Sequence, residues 1–137
     1  MKKILKVGTM YPLTILCVVA IWVLCFCMPP KTQLDDVPFI DKWAHLLMYG
    51  GTTSVFWWEY WRQKSKGKML SRITLLWVAV LVPILMSGLI EILQATCTGG
   101  RRSGDILDFV ANSLGVLLGW LLGTTVVRWL SSKIFHA

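Results

Sequence analysis

The sequence predicts an all-α, polytopic membrane protein: four transmembrane helices packed in one compact bundle, read as a single domain over residues 1–137. Three observations predict it. The chain is 55% hydrophobic and only 15% charged, whereas soluble domains carry about 25% charged residues. Four apolar runs cover 7–28, 43–61, 73–94 and 109–130, lengths suited to a hydrocarbon core of about 30 Å at about 1.5 Å per helical residue. The few charged side chains gather at the ends of these runs rather than along them.

The first run, Val7 to Met28, holds no charge and follows Lys2, Lys3 and Lys6. It is longer than the apolar core of a secretory signal, about 7–15 residues, and no small-x-small cleavage site follows. It is therefore kept as a transmembrane helix, with Pro12 as a kink near its start and Pro29-Pro30 as its stop. The second, Trp43 to Trp61, has aromatic anchors at both ends and Glu59 near the second. The third, Ile73 to about Gln94, contains Pro83, which a membrane helix tolerates when neighbours satisfy the freed backbone groups. The fourth runs from Phe109 to Leu130.

Loop charge sets the orientation. Lys2, Lys3, Lys6, Arg62, Lys64, Lys66, Lys68, Arg72, Arg128 and Lys133 place ten basic residues on one side. Lys31, Lys42, Arg101 and Arg102 place four on the other. The positive-inside rule then puts both termini in the cytoplasm and the loops 29–42 and 95–108 outside. The net charge of +7 does not indicate nucleic acid, because the basic residues sit at helix ends and in one short loop, where they suit anionic lipid headgroups. The expected partner is the bilayer. Cys17, Cys25, Cys27 and Cys97 form no CxxC motif and read as small apolar residues, with a Cys97 bridge to Cys25 or Cys27 as the alternative.

This topology brings three polar groups to the outer surface. Asp41, His45 and Tyr49 are spaced i, i+4, i+8 and share a helix face, with Lys42 beside them. Glu91 and Gln94 share another. Asp105, Asp108 and Asn112 form a stripe that continues into Gly115, Gly119 and Gly123, a small-residue ladder that admits a close neighbouring helix. The polar stripe and the packing seam should both face the bundle interior. Ionisable groups within apolar spans are costly and tend to have a role or a partner. Structural readings stand beside the functional ones. Asp41 and Lys42 suit the headgroup layer, Asp105 and Asp108 suit a helix N-terminus, Arg101 and Arg102 suit lipid phosphate, and the whole set suits a hydrogen-bond network tying three helices together.

The residue types allow three kinds of chemistry. Carboxylates with one histidine can hold a divalent cation. Lys42, Arg101 and Arg102 can grip a phosphate or pyrophosphate. His45 with Asp41 can serve as an acid–base pair, Glu91 or Asp105 as a second base or metal ligand and Arg102 as a phosphate clamp, with Lys42, Tyr49, Gln94, Arg101, Arg102, Asp105, Asp108 and Asn112 binding the substrate. No Gly-rich phosphate loop, HExxH, GxSxG or CxxC motif occurs.

The series Asp41-Lys42-x-x-His45-x-x-x-Tyr49, Glu91-x-x-Gln94 and Arg102-x-x-Asp105-x-x-Asp108-x-x-x-Asn112-x-x-Gly115 resembles the VanZ-like family of bacterial membrane proteins. The resemblance covers roughly residues 36–123, in the family's order. It implies a bacterial inner-membrane location and, from the family's eponymous member, low-level resistance to teicoplanin-type glycopeptides. The expected role is to engage an envelope lipid headgroup, a lipid-linked envelope precursor or a glycopeptide at the outer face. The alternatives are a membrane enzyme acting on a lipid-linked or phosphorylated envelope substrate, and a structural or accessory membrane subunit.

Overall fold

The computed structural model describes residues 9–27, 38–100 and 103–135, and these are helical apart from their connections. Four helical rods follow in chain order: α1 (Pro12–Phe26), α2 (Ile40–Ser65), α3 (Arg72–Cys97) and α4 (Ile106–Phe135). Lys2, Lys3, Lys6, Lys31, Arg101 and Arg102 lie outside the described residues.

The rods begin where the local chemistry stops a helix. Tyr11 has non-helical backbone angles and Pro12 takes the first position of α1, where its missing N–H is not needed. Ser71 caps α3, its hydroxyl accepting from Thr74 N at 3.1 Å. Asp105 caps α4, its carboxylate accepting from Leu107 N at 2.9 Å. Gly67, with φ +75°, makes the turn between α2 and α3.

Two of the rods contain a π-helical turn. In α3 it covers Trp77–Leu81, directly ahead of Pro83, with Val82 N donating to Trp77 O. The proline cannot donate to the carbonyl four residues back, and the widened turn absorbs the misfit. In α4 it covers Gly123–Val127. There the hydroxyls of Thr124 and Thr125 donate to the carbonyls of Trp120 and Leu121 at 2.9 and 2.7 Å, keeping backbone acceptors satisfied without water.

The central rod is α2. His45, Tyr49, Thr53, Phe56, Tyr60 and Gln63 are all buried and recur every three or four residues, one continuous stripe. Its closest partner is α4, and the glycine ladder is the contact. A Cβ at Gly115 would strike the carbonyl oxygen of Leu46. One at Gly119 would lie 2.5 Å from Gly50 O and 2.7 Å from Thr53 Cβ, and one at Gly123 would overlap the Trp57 ring. The seam read from sequence is thus a backbone-to-backbone approach along α2.

Elsewhere the surface is apolar. Leu16, Val19 and Val23 on α1, Leu85, Leu89 and Ile92 on α3, and Leu117, Leu118 and Leu121 on α4 are all exposed. Soluble monomers rarely carry apolar patches of such extent, and such a surface suits a bilayer. By length and composition α3 and α4 are each apolar enough to cross a membrane. The 15 residues of α1 extend about 22 Å, and α2 carries Asp41, Lys42, Glu59, Arg62 and Lys64 within its 26 residues. No disulfide joins any of the four cysteines.

Candidate functional site

The first turn of α2, the last turns of α3 and the first turns of α4 meet at one end of the bundle. A pocket of about 290 Å³ opens there, lined by Asp41, Lys42, His45, Gln94, Ser103, Asp105 and Asp108. Lys42 is its centre. Its Nζ lies 2.7 Å from Asp41 Oδ2, 2.7 Å from Asp105 Oδ2 and 2.6 Å from Asp108 Oδ1. One ammonium therefore links the starts of α2 and α4 and neutralises part of a three-carboxylate cluster. Three aspartates against one lysine leave the pocket lining at −2 with His45 neutral.

The charges shift one another. The hydrogen bond from Lys42 holds Asp41 below the ordinary carboxylate value of 3.8. The same lysine, with help from Leu107 N, holds Asp105 below it too. Burial by itself would lower the Lys42 ammonium, but its bonds to Asp105, Asp108 and Asp41 prevail and raise it above 10.5.

Beneath the pocket floor lies a buried relay. His45 Nδ1 is 3.0 Å from Asn112 Oδ1, and Asn112 Nδ2 donates to Ser87 Oγ at 2.8 Å. His45, Asn112 and Ser87 are 7%, 0% and 0% exposed, so these bonds have no competing water and join α2, α4 and α3. With Asn112 Oδ1 as acceptor, His45 Nδ1 carries the hydrogen. Its Nε2 is turned toward Asp108 Oδ2, 3.6 Å away. The carboxylate facing His45 is thus Asp108, whereas Asp41, one turn before His45 on α2, is engaged by Lys42.

Glu91 has a different task. Its Oε2 accepts from the backbone N of Asp105 at 3.0 Å, while its Oε1 is buried without a hydrogen-bond partner. Gly104 makes this possible, since a Cβ there would strike the carbonyl oxygen of Glu91. Gln94 lines the pocket and donates to Cys25 O at 2.6 Å, fixing the end of α1 to α3. Tyr49, 1% exposed, lies deeper. It lines an internal apolar cavity of about 170 Å³ with Thr14, Ile21, Phe56 and Pro83 rather than the polar pocket.

The structure thus brings Asp41, Lys42, His45, Gln94, Asp105 and Asp108 into one lining, sets Asn112 and Glu91 directly behind it, and leaves Tyr49 apart. Among the described residues no group of three or more His, Cys, Asp or Glu is arranged to hold a metal ion. The position between the three aspartates is taken by the lysine.

Sequence reasoning missed two members. Ser87 lies four residues before Glu91 and seven before Gln94, on the same face of an apolar helix, and that spacing was the available signal. Ser103 lies in the pocket lining, in the connection before α4, where no periodicity points to it.

Two apolar grooves flank the polar pocket. One, of about 380 Å³ between α3 and α4, is lined by Gly88, Glu91, Ile92, Gly104, Asp105 and Phe109 among others. The other, of about 310 Å³ between α2 and α4, is lined by Phe39, Lys42, Trp43, Leu46, Leu107 and Leu114 among others. Asp105 borders the pocket and the first groove, and Lys42 borders the pocket and the second.

Comparison with curated proteins and with solved structures returned no match. A model of the VanZ/LLP1 family matches residues 10–128. That stretch takes in α1, α2, α3, the polar pocket and most of α4, and with it the chain belongs to the VanZ/LLP1 family.

Proposed function

We propose that this chain is a VanZ-like envelope membrane protein whose polar pocket faces outward and engages a lipid headgroup or glycopeptide, thereby altering susceptibility to teicoplanin-type antibiotics. One observation carries the reading. A polar pocket shares Asp105 with one apolar groove and Lys42 with another. A headgroup in the pocket with acyl chains in the two grooves suits that layout. The lining is net acidic and Lys42 is already paired. The described residues therefore favour a ligand that offers amine or hydroxyl donors. The excess of basic residues at the opposite end supports the outward orientation.

Two measurements test this. Expression of the wild-type chain should raise the teicoplanin concentration a susceptible host survives. Asp108→Asn at equal protein level should abolish the gain. Equal protection by both would end the reading. For orientation, with native cysteines removed, Thr32→Cys should react with an impermeant thiol reagent in intact cells and Ser65→Cys should not. The reverse pattern would put the pocket inside the cell.

An enzymatic reading has its own support. His45, held through Nδ1 by buried Asn112 and turned through Nε2 toward Asp108, has the arrangement of an oriented general base. Turnover of a lipid-linked envelope substrate by pure protein, lost in His45→Ala, would establish it.

A further inference from the structure

The opposite end of the bundle carries a second built pocket. Its volume is about 210 Å³ and its lining is Trp61, Lys64, Arg128, Ser131 and Ser132. The Lys64 ammonium lies 4.9 Å from the centre of the Trp61 ring and the Arg128 guanidinium 5.5 Å from it. Trp61 is itself fixed, donating through Nε1 to Gly123 O at 2.9 Å in the π turn of α4. One anchored ring thus contacts two cations from different helices, and both line the same pocket. Among the described residues, neither cation has a carboxylate within ion-pair distance. Like charges brought together without a counterion repel, and an anion between them removes that penalty.

A second observation points to the same ligand. Ser131 is only 3% exposed, yet its Oγ has no hydrogen-bond partner. A buried hydroxyl left unsatisfied is unfavourable. A phosphate oxygen would satisfy it while binding both cations. Trp61 and the exposed Trp129, with Lys133 4.1 Å from the Trp129 ring, give this end the aromatic and cationic character of an interface.

We propose that this pocket binds the phosphate of an anionic phospholipid from the leaflet at the basic end of the bundle, held by Lys64, Arg128 and Ser131 against Trp61. The site shares no residue with the polar pocket at the other end and does not depend on what that pocket binds.

Native mass spectrometry of the full chain in detergent tests the proposal. The protein is incubated with phosphatidylglycerol or with phosphatidylcholine of matched chains. Phosphatidylglycerol should be retained about tenfold better. Lys64→Gln combined with Arg128→Gln should remove that preference. Lys66→Gln combined with Lys68→Gln, which alters exposed neighbours outside the pocket, should preserve it. Ser131→Ala keeps every charge and is small enough to fold whatever becomes of the double variant. It should lower retention about fivefold. Equal retention of the two lipids would overturn the proposal, as would equal loss in the Lys66/Lys68 variant or full retention in Ser131→Ala. Displacement of the lipid by inorganic phosphate at equal concentration would assign the pocket to free phosphate instead and overturn the lipid assignment.

Discussion

The His45 imidazole and the Asn112 carboxamide meet at 3.0 Å, 67 residues apart in sequence and both buried. Asn112 passes the contact on to Ser87, so three helices are joined at one point. Cross-helix hydrogen bonds in membranes average about 0.6 kcal/mol. The relay is therefore a weak fastener and a strong orienting device. His45→Ala and Asn112→Ala should each lower unfolding stability by under about 2 kcal/mol. Both should insert and stay helical, as denaturation followed by circular dichroism will report. Failure of both to accumulate would make the relay a structural lock instead.

The glycine seam should behave oppositely. Gly119→Leu forces a side chain into Gly50 O and Thr53 Cβ, at 2.5 and 2.7 Å even for the first atom. The α2–α4 pair must separate, and folded yield should fall severely. Gly51, with nothing within 4 Å of an added Cβ, is the control. Gly51→Ala should be neutral or stabilising by up to about 1 kcal/mol. Yields from size-exclusion chromatography in detergent decide it. An unaffected Gly119→Leu would show that the seam is not tightly closed.

Glu59 is fully buried and caps another helix. Its carboxylate accepts from Leu13 N at 3.0 Å, Thr14 N at 2.9 Å and Thr14 Oγ1 at 2.7 Å, which are donors at the exposed start of α1. Gln63 adds a bond to Met10 O at 2.9 Å. Glu59→Ala leaves three donors stranded and should destabilise the protein by about 2–4 kcal/mol. The loss should concentrate in α1, where hydrogen exchange at Leu13 and Thr14 should accelerate first. Uniform acceleration through all four helices would refute the local role.

The helices were legible because long apolar runs leave few alternatives, and two of the four, α3 and α4, are long and apolar enough to cross a membrane. Their ends were less so. The helix α2 extends from Ile40 to Ser65 rather than 43–61, because polar first and last turns continue a helix without lengthening its apolar run. The stripe of Asp105, Asp108 and Asn112 was readable from spacing alone. Lys42 as the hub was not, since the reach of a long side chain to another helix leaves no periodic trace. Glu59 was visible only as a charge near a helix end. Its partners are 45 and 46 residues away, and only folding brings them close.

The Lys42 cluster fixes a pH profile. Asp41 and Asp105 sit below 3.8 when folded, so their contribution is complete above that value and fades as pH falls through the lower folded pKa. Lys42 sits above 10.5, so its contribution is complete below 10.5 and fades as pH rises through the higher folded pKa. The cluster should therefore leave Tm unchanged across the interval between. Lys42→Met should remove the acid sensitivity and instead let Tm rise as pH falls through the carboxylate range, because aspartates that have lost their cation repel one another and take up protons more readily folded than unfolded. It should also make Tm rise on adding Mg²⁺ or Ca²⁺, as three carboxylates are freed to take a cation. A Lys42→Met Tm that ignores both acid and cations would mean the lysine does not hold the cluster.

Direct titration tests most closely the proposed binding of an envelope ligand in the pocket between α2, α3 and α4. Purified chain in nanodiscs should bind a lipid-linked envelope precursor or teicoplanin with saturable affinity. Asp108→Asn and His45→Ala should each weaken that binding about tenfold or more, while Gly51→Ala leaves it unchanged. Binding of neither ligand, or equal binding by wild type, Asp108→Asn and His45→Ala, would contradict the account.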